Sequence, residues 1–151
     1  MFEKDPKVYR LLECDDHGNY IGLDGVREQV DEITPSRLEG VTRLSFHGNR
    51  AVRFEATLTL LGWFEPVALD ACKAILDSNL MNEGPPLSPH RLWEVDCSYE
   101  ELASQLVGGV GIYSWNTQKK LLRWLIKIKK AADQVMVSSF LCFTFIRLDR
   151  L

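Results

Sequence analysis

The most regular hydrophobic pattern in the chain lies at 52–60. Val52, Phe54, Ala56, Leu58 and Leu60 alternate there with Arg53, Glu55, Thr57 and Thr59. Alternation sends the two sets to opposite faces of extended backbone, so it predicts a half-buried strand over 51–62. VTRLSF at 41–46 and the turn HGNR at 47–50 complete a hairpin with it. A second hairpin is predicted upstream, from KVYRLLEC at 7–14, the loop DDHGN at 15–19 and YIGL at 20–23. The tripeptide HGN occurs at 17–19 and again at 47–49. The residues around the two copies do not match, so this is turn chemistry used twice and not a structural repeat.

Elsewhere the spacing is helical. Val26, Val30 and Ile33 stand four and three apart, which predicts a short amphipathic helix over 24–33, stopped by Pro35. Pro66 suits the first turn of a helix, and Val67, Ala71, Ala74, Ile75 and Leu80 then share a face. NEGPPLSPH at 82–90 breaks any regular element, and RLWEVD at 91–96 reads as a short strand. Ser98 and Glu101 match a capping box, opening a helix that Gly108 and Gly109 end. The segment 135–148 is apolar on both alternating sets, as expected of a strand buried on both faces. The fold class expected is α+β, in one globular domain over 1–151. Two hairpins and the buried C-terminal strand would build a mostly antiparallel sheet of about five or six strands, with about three or four helices packed on it.

KKLLRWLIKIKK at 119–130 holds six basic residues and no acid. On a helical wheel Lys119, Lys120, Arg123, Lys127 and Lys130 fall within about 100° of arc. Leu121, Leu122, Trp124, Leu125, Ile126, Ile128, Ala131 and Ala132 cover most of the rest, broken only by Lys129. The simplest reading is a helix of about 116–133 buried against its own protein, with a solvated basic back. Five aligned cations also suit a phosphate backbone, which makes nucleic-acid binding an alternative. A third reading buries the apolar arc in another molecule.

Composition narrows the classes. A chain of 151 residues with 46% hydrophobic and 26% charged residues is ordinary for a globular domain. No apolar run reaches the roughly 18–20 residues that span a bilayer, and MFEKDPKVYR is too polar for a signal peptide, so the expected location is the cytoplasm. The cysteines at 14, 72, 97 and 142 are not closely paired, which argues for free thiols over a zinc site. Cys72 and Cys142 sit among apolar residues and read as buried.

Charge is uneven. Residues 1–118 carry 10 Lys and Arg against 19 Asp and Glu, while residues 119–151 carry 8 against 2. Asp15, Asp16, Asp24, Glu28, Asp31, Glu32 and Glu39 concentrate seven acids near the start. A surface of that sign steers a basic protein toward it. In size and charge the chain is comparable to toxin-neutralising immunity proteins and antitoxins, an analogy of composition only. The leading expectation is therefore a non-enzymatic binding protein with a protein partner. Asp15 and Asp16, Asp24 and Glu28, and Asp31 and Glu32 would form its acidic surface. The alternative is a small hydrolase or metal-dependent enzyme at ECDDH, 13–17, where Asp15, Asp16 and His17 could converge with His47. GGVG at 108–111 follows a helix and lacks the Lys-Ser/Thr ending of a phosphate loop. No nucleophile motif is present, and the expectation is no cofactor and no resident metal.

Overall fold

The computed structural model describes residues 5–31, 33–78, 84–85, 87–88, 96–108, 123, 125–126 and 128. Six helices are bounded among them: α1 Pro6–Glu13, α2 Gly22–Glu28, α3 Pro35–Leu44, α4 Arg50–Gly62, α5 Val67–Asp77 and α6 Ser98–Gly108. The described residues contain no strand, which overturns the expected α+β sheet. The chain divides into two compact units, 1–72 and 73–151.

In unit 1 both predicted hairpins are helix–turn–helix pairs. Three of the four helices, α1, α3 and α4, begin at a capping side chain, while α2 begins after Ile21 without one. Asp5 accepts from the backbone N–H of Lys7 at 3.1 Å and Val8 at 3.3 Å, ahead of Pro6. Thr34 Oγ1 accepts from Arg37 N at 3.3 Å, ahead of Pro35. Asn49 Oδ1 accepts from Ala51 N at 2.9 Å and Val52 N at 3.4 Å. Asp, Thr or Asn before Pro or a helical first turn is a start signal, because the side chain replaces a missing helical acceptor. Pro35 thus opens α3 and does not merely end the helix before it. That preceding helix, α2, stops at Glu28, short of the predicted 33.

Helix α4 explains the misleading alternation. Val52, Phe54, Ala56, Leu58 and Leu60 are buried, but so are Glu55, Thr57, Thr59 and Leu61. The helix packs against α1, α2 and α3 and is enclosed on every side. Its two buried hydroxyls are satisfied internally: Thr57 Oγ1 donates to Arg53 O at 2.8 Å, and Thr59 Oγ1 to Glu55 O at 2.9 Å. Hydroxyls bonded to the carbonyl four residues back are tolerated in a buried helix. The alternation was polar side chains finding partners inside the core, not two faces of a strand.

The helix ends in a Schellman turn, with Phe64 N–H bonded to Leu61 O and Glu65 N–H to Leu60 O, both at 3.0 Å. Phe64 adopts φ +59°, a left-handed conformation usually given to glycine. The neighbouring Gly62 serves close packing instead. A Cβ there would stand 3.3 Å from Arg27 Cβ and 3.4 Å from Arg27 O. α2 therefore approaches α4 so closely that an alanine would require its neighbour to give by a few tenths of an ångström.

In unit 2 the start of α6 is organised by Asp96. Its carboxylate accepts from Leu87 N and Ser88 N, each at 3.2 Å, from Ser98 N at 3.0 Å and from the Ser98 hydroxyl. The capping role expected of Ser98 falls to Asp96, and Ser98 is already the first helical residue. Along α6, Tyr99, Leu102, Ala103 and Leu106 are buried. Arg123, Leu125, Ile126 and Ile128 are helical. Leu125 and Ile128 are buried and Arg123 is exposed, the sidedness expected from the wheel. Ile126 departs from it: placed in the apolar arc, it is 55% exposed. Lys119, Lys120, Trp124, Lys127 and Lys130 lie outside the described residues, as do 91–95 and the predicted strand at 135–148.

Glu100 carries the first prediction. Both its carboxylate oxygens are shielded from water with no hydrogen-bond partner among the described residues. Burial, and after it the Asp96 carboxylate, push this carboxyl above its usual range. A raised folded-state value means the folded chain holds the proton more tightly than the unfolded chain does. Ionised Glu100 therefore opposes folding above that value, and the penalty vanishes below the unfolded value near pH 4. The side chain is only half-buried, so a small effect applies. Glu100→Gln should raise Tm at pH 7.5 by about 2–4 °C, the equivalent of roughly 1 kcal/mol, with no gain at about pH 4. Thermal melts of both proteins across that range check it.

Candidate functional site

The acidic loop between α1 and α2 is a closed turn. Asp15 N donates to Asn19 O, and Asn19 N and Nδ2 donate to the two Asp15 carboxylate oxygens, all three at 2.8 Å. Gly18 N donates to Asp15 O at 3.1 Å, and Gly18 takes φ +87°, which a side chain would strain. An isolated antiparallel bridge between Cys14 and Tyr20 closes the loop. The composition at 15–19 thus serves the turn, as its residue types suggested. Donation from the Asn19 side chain, ahead of smaller backbone and His17 contributions, holds the Asp15 carboxyl below its usual range. It stays ionised, which suits charge recognition and not proton donation.

Asp16 is bound to Arg37. The Arg37 guanidinium donates to Asp16 Oδ1 at 2.7 Å, to Leu11 O at 3.1 Å and to Cys14 O. It also lies 5.9 Å from the centre of the Trp63 ring. Arg37 is only 6% exposed. One side chain of α3 therefore satisfies the last carbonyls of α1, neutralises the loop and meets the end of α4. Nothing in the periodicity of 35–44 marks it.

Between these elements lies a cleft of about 270 Å³, lined by Arg10, Leu11, Asp15, Asp16, Thr34, Ser36 and Arg37. His17 is exposed and does not line it. His47 Nδ1 accepts from Asn49 N at 3.0 Å, so His47 belongs to its own turn before α4. Among the described residues no group of three or more His, Cys, Asp or Glu side chains is placed to hold a metal ion. Cys14, Cys72 and Cys97 are not in disulfides. Burial pushes Cys72 up to about 12, so it remains a protonated, unreactive core residue. Cys142 lies outside the described residues.

The remaining acids sit on and after α2. Asp24 is exposed and pairs with Arg27 at 3.1 Å. Glu28 and Asp31 are exposed and make no ion pair among the described residues. Val30 between them is 39% exposed. Tyr20, 65% exposed, stacks on Tyr9 with ring centres 6.2 Å apart. Its hydroxyl lies 3.6 Å from where a Cβ at Gly22 would stand, which sets the ring beside the start of α2. Glu32 lies outside the described residues. The six proposed acids therefore separate. Asp15 and Asp16 are committed to the turn and to Arg37, while Asp24, Glu28 and Asp31 face water.

Among the described residues no helix is long and apolar enough to cross a membrane. Comparison with known proteins adds nothing to this geometry: no family model, no curated protein and no solved structure matches the chain.

Proposed function

We propose that the chain is a binding protein that captures a basic protein partner on the α2 surface. The observation that carries this reading is the pair of exposed, uncompensated carboxylates at Glu28 and Asp31, flanking the exposed Val30. A surface that mixes unpaired charge with apolar area is suited to association. The Tyr20 ring, stacked on Tyr9, offers its face to a guanidinium or ammonium group. Neutralisation of a basic toxin, in the manner of an immunity protein or antitoxin, is the role such a surface suits. Against catalysis at 13–17, the Asp15 carboxylate is bonded to Asn19 and that of Asp16 to Arg37.

The test is affinity capture from the native host, comparing the natural chain with Glu28→Lys/Asp31→Lys. Both positions are exposed, so folding should survive. The natural chain should retain a basic protein that the charge-reversed chain loses. Retention should fall as salt rises from about 50 to 300 mM, as the Debye length shortens. Equal capture by both chains, or a retained partner that is acidic, refutes the reading.

A further inference from the structure

The cleft beside the 15–19 turn holds two pairs of opposite charges, and they differ. Arg37 and Asp16 are 2.7 Å apart and neutralise each other. Arg10 and Asp15 line the same cleft yet make no ion pair with each other or with any other described residue. Arg10 is exposed on α1 and keeps all its donors. Asp15 cannot swing across to meet it, because Asn19 fixes both carboxylate oxygens. Two opposite charges thus face one cavity across a gap that neither side chain closes.

We infer that this cleft binds a small zwitterion, of the size class of a free amino acid, its carboxylate on Arg10 and its ammonium on Asp15. Net charge among the lining residues is balanced, so a simple anion or cation gains at one wall and is repelled at the other. A molecule carrying both signs gains at both. A volume of about 270 Å³ lies just below the roughly 300–1,000 Å³ of drug-sized pockets, which suits a ligand smaller than a drug. The Ser36 hydroxyl, exposed on the first turn of α3, adds a donor for the carboxylate. This site is separate from the α2 surface, and the failure of either leaves the other standing.

Titration of the full chain, followed by amide resonances, tests the inference. The probes are glycine and γ-aminobutyrate as short and long zwitterions, with acetate and methylamine as singly charged controls. At least one zwitterion should shift the resonances of Arg10, Asp15 and Ser36 saturably, with neither control doing so at equal concentration. Arg10→Gln, at an exposed position, should weaken that binding at least tenfold while leaving the fold intact. Asp15→Asn should do the same, with the far-ultraviolet spectrum checking the turn's helices. Saturable binding of acetate alone would make this an anion site and overturn the inference. So would the absence of shifts with both zwitterions, or undiminished binding by Arg10→Gln.

Discussion

Arg37→Ala should destabilise the protein by about 3 kcal/mol, lowering Tm by roughly 10 °C. The loss has identifiable parts. The carbonyls of Leu11 and Cys14 lose their donor at the buried end of α1. Asp16 loses its cation, though this part is small because its side chain is 35% exposed. Trp63 loses the guanidinium near its ring. Arg37→Lys should recover less than half of the deficit. A single ammonium on a flexible stem cannot reach two carbonyls and a carboxylate in the directions that a planar guanidinium serves together. Chemical denaturation of the three proteins checks both statements. An alanine variant within about 1 kcal/mol of the natural chain would mean that water satisfies those carbonyls without Arg37.

A comparable loss is expected at the core of α4. Arg27 bonds the Glu55 carboxylate, and both side chains are under a tenth exposed. Removing Arg27 leaves a carboxylate enclosed within a helix bundle. Arg27→Met should cost about 3 kcal/mol, because a buried carboxylate that loses this cation recovers less of its desolvation penalty. Arg27→Met/Glu55→Leu should regain most of that, since an apolar pair of similar volume carries no such penalty. The exposed bond from Arg27 to Asp24 contributes little to either figure. Urea midpoints for both single variants and the double variant measure the coupling. If the double variant were as unstable as the sum of the singles, the pair would be uncoupled and this account of the core would fail. Loss of the Arg27 stem also removes packing beside Gly62, so the double variant need not reach the natural stability.

The same two arginines show why so little of this fold was legible from its hydrophobic pattern. Arg27 and Arg37 are buried through contacts to Glu55, 28 residues away, and Asp16, 21 residues away. Those partners follow from how the helices cross, which no local spacing encodes. The alternation at 52–60 failed for a related reason. A helix buried all round has no polar stripe to set its period at 3.6, so the polar residues at 53–59, each with an internal partner, imposed a false period of two. Capping chemistry would have been the better guide. Asp5-Pro6, Thr34-Pro35 and Asn49 each precede a helix, and each signal is local because the side chain bonds backbone only two or three residues ahead.

For the acidic surface the division is similar. The amino-acid sequence by itself determined the turns at 15–19 and 47–49, the burial of Val26 and Cys72, and the excess of acid before residue 118. These depend on residue type and near neighbours. Only the tertiary structure decided which acids are held by a partner within the fold and which are not. Asp15 and Asp16 look like Glu28 and Asp31 along the chain. Folding brings Arg37 and Asn19 to the first pair and no described cation to the second. Charge type is a property of the residue, but the field that a carboxylate presents to a partner depends on what the fold has placed beside it.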